Sequence, residues 1–439
     1  MPVPPALSAL RRPRRARGVP GRRPHPRARP PSGRGPRRRL PLPPRREPVS
    51  TPSSPVVTEA EVEALIADLV RLDSVTPWLV EGGAGEAAVA AFLARWVADL
   101  PVEVELDEIE PGRVNFLATL KGTGGGPSLC LNAHADTVGY AGWPERALVP
   151  RRDGDRLYGL GASDDKGCCA VALLALRHLA TRGPRLSGDL TVACVADEEG
   201  VSLGTERLVA TRRFDLAIVL EADALDRVVV EHQGFGWIDV VVNGRAAHGS
   251  APEAGVDAIV GLAEVVTRLG AWGRAQRAVS PTPRNGATVF HTGTVRGGTD
   301  YATYPSQAVL GIEIGTQPGE RLADRVAEIE AVIDEVARVV PGLTGEVRVR
   351  LEREPFRAAG HEALLSSLQA AARRRLGVEL REVGLNAWTD AALMQSAGVA
   401  TLLLGPLGGN FHSPDEWVSL PEAVAAVDLL VETIAGVLG

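Results

Sequence analysis

No apolar run in this 439-residue chain approaches the ~18 residues that span a bilayer, which argues against a membrane-spanning helix. The basic start has no apolar segment behind it, which argues against an ordinary secretory signal. Cysteine is scarce. Cys130, Cys168, Cys169 and Cys194 show no C-x-x-C spacing and lie in apolar runs. That excludes a disulfide framework and reads as buried small hydrophobes in a reducing cytoplasm. Lysine is nearly missing, present only as Lys121 and Lys166. Arginine carries the positive charge, as GC-rich coding produces.

What is present suits a globular protein. The chain is 45% hydrophobic and 23% charged, over a length that predicts two domains. The charge is unevenly divided. Residues 1–46 hold 15 Arg and no acid, whereas the rest holds 33 basic against 54 acidic residues, a net of −21. An acidic body argues against duplex nucleic acid as a partner. The Pro/Arg-rich start cannot bury enough surface to offset chain entropy, so residues 1–57 read as a disordered tail. Its composition leaves three readings open. It could be a targeting peptide, although proline opposes the amphipathic helix such peptides form. It could be a nucleic-acid-binding or membrane-binding arm, or the product of a start codon placed too far upstream.

Order is predicted from near Thr58, where Thr58 and Glu61 form a capping box ahead of Val62, Leu65, Ile66, Leu69 and Val70 at helical spacing. A second helix reads from about Glu86 to Leu100. Short strands and helices then alternate: strands at 114–120, 128–133, 190–196 and 216–220, and a helix from Gly167 to about Leu179. Val/Leu/Ile-rich runs alternating with helices predict an α/β domain, its mainly parallel sheet covered by helices on both faces. The style changes after about Val230. Strands at 237–242, 309–314 and 346–351, with helices near 256–266 and 322–339, predict a smaller α+β insert. The first style returns from about Glu354 with a helix, a strand at 400–404 and a closing helix from Pro421. The expected organisation is a catalytic domain over 58–231 and 354–439, interrupted by an inserted lid or dimerisation domain over 232–353.

Four strands of the main domain run into metal-capable residues. One ends in His134-Ala135-Asp136, one in Asp197-Glu198-Glu199, and one in Glu221-Ala222-Asp223. The fourth is followed within a loop by His412, and Asp164 and Asp165 precede the Gly167 helix. Ligands of open parallel sheets sit beyond the carboxyl ends of the strands, so these residues can converge. Imidazole and carboxylate donors suit zinc, with cobalt or manganese as substitutes. So many carboxylates would resist ionisation together, and divalent cations resolve that.

At this point the chain resembles the co-catalytic zinc aminoacylase and carboxypeptidase family, which includes acetylornithine deacetylase, succinyl-diaminopimelate desuccinylase and glutamate carboxypeptidase. The resemblance runs in order through residues 58–439. It rests on L-N-A-H-A-D-T-V, G-L-G-A-S-D-D-K-G, A-D-E-E-G-V-S-L-G-T, A-A-H-G-S-A-P-E-A-G-V-D-A-I and F-H-S-P-D-E. It implies two metal ions: His134, Asp164 and Glu221 on one, and Asp164, Glu199 and His412 on the other. Glu221 or Asp223 could supply the third ligand, and the family's ligand directly follows the apolar strand, as Glu221 does. By the same resemblance Asp136 orients His134 and Glu198 is the general base. His248 reaches the oxyanion from the insert, in the partner subunit of a homodimer. His178, His232, His291 and His361 match no role and read as structural or surface residues. One departure stands out. Many relatives place a substrate-gripping Arg where this chain has Glu313–Thr316, and an Asn near Tyr301–Tyr304. Arg296 is the candidate replacement.

The resemblance implies that metal-activated water attacks an amide carbonyl, with Glu198 moving the proton and His248 donating to the oxyanion. The expected substrate is an N-acyl-amino acid, or alternatively a short peptide cleaved by a carboxypeptidase or dipeptidase. A catalytically dead metabolite-binding or scaffold protein is the reading from another class, and the presence of Glu198 and every ligand argues against it.

Overall fold

The computed structural model describes residues 54–439 apart from 280 and 283. The reading of a disordered start falls almost wholly outside these residues. Helix α1 (Glu59–Val70) opens with the expected capping box: Glu61 N donates to Thr58 Oγ1 at 3.2 Å, and Thr58 N donates to Glu61 Oε2 at 2.7 Å. Its apolar face, Val62, Leu65, Ile66, Leu69 and Val70, is buried. Helix α2 covers Ala87–Trp96.

The main sheet has nine strands. Its parallel centre consists of β3 (Leu129–His134), β4 (Leu190–Val195), β5 (Leu216–Leu220) and β12 (Ala400–Leu404), in the spatial order β4-β3-β5-β12. The flanks are antiparallel. β1 (Glu103–Glu110) pairs with β2 (Arg113–Leu120), and β2 with β4. On the other side β6 (Arg227–His232) meets β12 and the short strand Phe356–Arg357 antiparallel, and β11 (Arg381–Leu385) parallel. The sheet is therefore mixed, and its parallel strands were legible as apolar runs, as was antiparallel β2 at 114–120.

Those runs have a physical cause. Central parallel strands are covered on both faces, so every residue must be apolar or satisfied. Leu129, Leu131, Ala133, Val192 and Ile218 enter one core. That core is built with α1, α3 (Lys166–Arg182) and the closing helix α8 (Leu420–Leu438). Cys130, Ala193, Ala217 and Val219 alternate to the opposite core, under α4 (Leu203–Thr211). All four cysteines are buried and free. A helix α7 spans Glu362–Arg375 and does not begin at Glu354, because Phe356–Arg357 first adds to the sheet.

The sheet is left at His232 and rejoined at Phe356. Between them lies a four-stranded antiparallel sheet of β7 (Gly234–Asn243), β8 (Phe290–Gly297), β9 (Gln307–Thr316) and β10 (Thr344–Arg353), in the order β8-β9-β7-β10. Helices α5 (Ala258–Val279) and α6 (Leu322–Val339) pack on it around Ile238, Val240, Leu262, Leu310, Ile312 and Ile329. A third, small sheet joins Arg151–Asp153, Arg156–Tyr158, Trp417–Ser419 and Gly408–Gly409. It ties the loop before α8 to the segment leading into α3. Among the described residues no helix is long and apolar enough to cross a membrane.

Candidate metal centre

The register of the parallel strands brings their carboxyl ends level: His134 pairs with Val195, and Leu220 with Leu404. His134, the Asp197–Glu199 turn and Glu221 therefore emerge at one edge. The small third sheet brings His412 to the same edge.

Asp164 lies between the two histidines. Its Oδ1 is 3.0 Å from His134 Nε2 and its Oδ2 is 3.2 Å from His412 Nε2. Glu199 Oε1 is 3.0 Å from His412 Nε2, and Glu221 Oε1 is 3.9 Å from His134 Nε2. Asp223 is turned away and paired with Arg227 at 3.0 Å. Two groups have ligand atoms lying within 4.8 Å of one another: His134, Asp164 and Glu199, and His134, Asp165 and Glu221. The second brings in Asp165, to which the sequence motif gave no role. One Asp165 oxygen accepts the His134 backbone N–H at 3.1 Å, and the other has no hydrogen-bond partner.

The surrounding residues set these positions. Asp136 accepts the backbone N–H of Glu198 at 3.0 Å and of Glu199 at 3.1 Å, one on each oxygen. It also approaches His134 Nδ1, through its main-chain oxygen at 3.2 Å and its carboxylate at 3.4 Å. Asp197 is held by Arg113 at 2.6 Å and Thr76 at 2.7 Å, and Arg113 is also paired with buried Glu86. Glu416 accepts the backbone N–H groups of Ser163 and Asp164 at 3.0 and 3.1 Å. Among the described residues four non-glycines adopt a left-handed backbone: Asp197, Ser202, Asn410 and His412. All four flank this site, where such strain is commonly held in place by the surrounding structure.

The electrostatics are those of a cation site. Burial pushes the Glu198 carboxyl well up, and the charges of Glu221, Asp390 and Glu199 add to this. Burial likewise raises Glu199, Glu221 and Asp165. Burial opposes ionisation of Asp164 too, but hydrogen bonds from His134 and His412 outweigh it and hold its pKa well below the carboxylate range. Hydrogen bonds to Asp164 and Glu199 push His412 up to about 10. Glu199 Oε1 lies 3.0 Å from His412 Nε2, and among the described residues no other donor reaches it. A cluster of carboxylates that raise one another's pKa, with buried oxygens lacking donors, is chemically suited to divalent cations. The imidazole and carboxylate donors fit zinc, cobalt or manganese.

His248 lies elsewhere. It is exposed, in a loop after β7, with no hydrogen bond or ion pair to His134, Asp164, Glu199, Glu221 or His412. Its Nδ1 is 2.8 Å from Ser250 Oγ and accepts the Ser250 backbone N–H at 3.2 Å, an arrangement that suits a neutral ring with its proton on Nε2. Arg296 is ion-paired with Asp239 at 3.2 Å, on the second sheet. His232 is a satisfied core residue: its Nδ1 is 2.8 Å from the Gln233 carbonyl oxygen and its Nε2 is 3.1 Å from Thr389 Oγ1. Asp390, which faces Glu198 electrostatically, and Asp165 had no assigned role in the sequence reading. The D-D pair was a visible signal for Asp165. Asp390 had none, because its position depends on a strand and helix that the apolar pattern did not reveal.

The sequence model of Peptidase family M20/M25/M40 matches residues 130–436. Acetylornithine deacetylase of Aliivibrio fischeri (strain MJ11) is 28% identical over 347 residues, covering 76% of this chain and 87% of the relative. A tripeptidase structure from Staphylococcus aureus superposes with a TM-score of 0.73 at 22% identity, over 87% of this chain and 98% of the other. A dinuclear metal-binding M20 peptidase from Bacillus subtilis superposes with a TM-score of 0.63 at 15% identity, over 87% and 98%.

Proposed function

This chain belongs to peptidase family M20/M25/M40 and is a hydrolase of C–N amide bonds, and from that premise we propose that it is a di-metal deacylase of N-acyl-amino acids. The observation that carries the two-metal part is Asp164, whose two oxygens face two different histidines. We assign His134, Asp164 and Glu221 to one cation and Asp164, Glu199 and His412 to the other. Bound divalent cations, with zinc first, would polarise the carbonyl and acidify a water.

The chain's own groups do the rest. Glu198 is next to the ligands without being one, and its raised proton affinity suits it to take a proton from water and return it to the leaving amine. Asp136 keeps the Glu198–Glu199 turn in place, so that one carboxylate ligates while its neighbour stays available. His248 carries its proton on Nε2 and could donate it to the developing oxyanion. Because it makes no contact with the cluster, we assign that donation to a homodimer in which the insert reaches the partner's site. The open edge of β8 supports this, with Val295 72% and nearby Ile259 47% exposed. The four reduced thiols suit the cytoplasm as the place of work.

The acyl preference is assigned on the similarity to acetylornithine deacetylase. The same groups would serve a carboxypeptidase or dipeptidase. A panel of N-acetyl-amino acids, N-succinyl-amino acids and dipeptides, assayed after chelation and after adding back zinc, cobalt or manganese, tests the reading. Chelation is expected to abolish activity and metal to restore it, with N-acyl substrates ahead of dipeptides. Full activity in protein shown by elemental analysis to be metal-free would overturn the metal assignment. Dipeptides ahead of every N-acyl-amino acid would move the chain to the peptidase reading.

A further inference from the structure

Large apolar side chains stand exposed at the rim of the metal centre. Trp78 is 48% exposed and Phe411 45%, in a chain with only 4% aromatic residues. Their places in the chain bracket two ligands. Phe411 immediately precedes His412. Trp78 lies against the turn that carries Glu199: a Cβ placed on Gly200 would lie 3.1 Å from Trp78 Cβ. Leu79 and Val80 continue the same strip at 43% and 39% exposure.

This strip is built, not loose. The backbone N–H groups of Leu79 and Val80 both donate to Thr76 O at 3.2 Å, and the Thr76 hydroxyl donates to Asp197 at 2.7 Å. The Trp78 indole stacks on Trp237 of β7, with ring centroids 4.9 Å apart and planes 28° from parallel. Trp237 is fixed in turn by Phe235 at 5.4 Å and by donating its indole N–H to Glu313 at 2.9 Å. One indole is thus backed by a second, with much of its surface left open beside Glu199. The cations near this rim are committed within the protein. Arg353 bonds Val201 O and Glu206, and Arg113 bonds Glu86 and Asp197.

We propose that Trp78, backed by Trp237 and with Phe411 exposed beside His412 in the chain, is a specificity-determining subsite for a flat apolar group, so that the substrates are derivatives of aromatic amino acids. The inference rests on the amidohydrolase reading and adds the class of side chain to it. Aromatic rings favour offset stacking and gain from leaving water. An anionic side chain would meet no uncommitted cation among the described residues at this rim and would desolvate against indole.

The test uses the full chain loaded with zinc or cobalt. Values of kcat/KM are measured for N-acetylphenylalanine, N-acetylalanine, N-acetylornithine and N-acetylglutamate. The aromatic substrate is expected to lead alanine by about tenfold or more, the scale on which apolar pockets discriminate. Trp78→Ala is expected to lower the phenylalanine-to-alanine ratio by about tenfold, and Trp78→Phe to retain it. Trp78→Leu keeps apolar volume should the alanine variant fail to fold, and is expected to lose most of the preference because it is not flat. Turnover of alanine or charged derivatives as good as that of phenylalanine would overturn the subsite and leave the hydrolase reading standing. So would an unchanged ratio in folded Trp78→Ala or Trp78→Leu. Absence of turnover on all four substrates, and on succinyl and dipeptide substrates too, would overturn both.

Discussion

In the proposed mechanism Glu198 and Glu199, neighbours in the chain, have opposite uses, and Asp136 holds the turn that carries both. Each of its oxygens accepts one of their backbone N–H groups, which fixes the turn. The separation can be measured. Glu198→Ala removes a proton carrier and is expected to lower kcat by ~10²–10⁴-fold with metal content kept. Glu199→Ala removes a ligand and is expected to lose metal as well. Metal loss in Glu198→Ala with metal kept in Glu199→Ala would reverse the assignment. A second residue prediction concerns His232. Burial lowers its pKa to about 4 from an ordinary 6.5. Between those values the unfolded chain binds a proton that the folded one does not, so stability rises with pH there. The contribution is complete above the unfolded value and is lost as pH falls through about 6.5 towards 4, by ~3 kcal/mol in all. Melting temperatures of native protein and His232→Asn, taken from pH 4 to 7, are expected to fall less steeply with acid in the variant. Parallel slopes would show that His232 is not the group responsible.

Among the described strands of eight or more residues, β8 is exposed over the largest share of its length. It is an edge strand, exposed along all but its first residue, and its neighbour helix α5 exposes Ile259 and Val260. Open edges with apolar side chains invite pairing with another strand. In the proposed homodimer that edge meets its copy. Val295→Glu together with Ile259→Glu is expected to shift the protein from dimer to monomer in sedimentation or light scattering, while the melting temperature stays close to native. A dimer unaffected by both changes would place the interface elsewhere. The main sheet offers a contrast. Its central strands are covered on both faces, and it presents only their carboxyl ends, which is why the chemistry collects there.

At the scale of the molecule the question is how the insert serves the metal centre. His248 Nδ1 accepts the Ser250 backbone N–H, and among the described residues His248 makes no hydrogen bond to the cluster of its own chain. In the proposed homodimer a second subunit would bring His248 to the cluster. His248→Ala is expected to keep both metals and to lose ~10²–10³-fold in kcat, with a smaller change in KM. Mixing inactive His248→Ala with inactive Glu198→Ala is expected to restore part of the activity, because one site of each mixed dimer is then complete. No recovery after demonstrated subunit exchange would put His248 in its own subunit's site. Near-native activity of His248→Ala alone would remove it from the mechanism.

The sequence by itself determined the elements whose burial is total. Strands buried on both faces must be apolar at every position, so L-C-L-N-A, L-T-V-A-C-V and L-A-I-V-L were visible, along with the polar residues that end them. The capping box at Thr58 was equally local and equally legible. What tertiary structure decided was everything set by pairing. β1 alternates weakly and is largely exposed, and β6 and β11 gain their place only from neighbours distant in the chain. Asp165, Asp390 and Glu416 are functional candidates through the backbone and hydroxyl groups they meet, and no spacing announces such contacts. The stacking of Trp78 on Trp237 joins residues 159 positions apart in the sequence. Residue type could nominate the ligands because metal chemistry restricts it to a few side chains. A substrate-facing wall can be made from many apolar residues, so only the folded surface shows which of them remain open to a ligand.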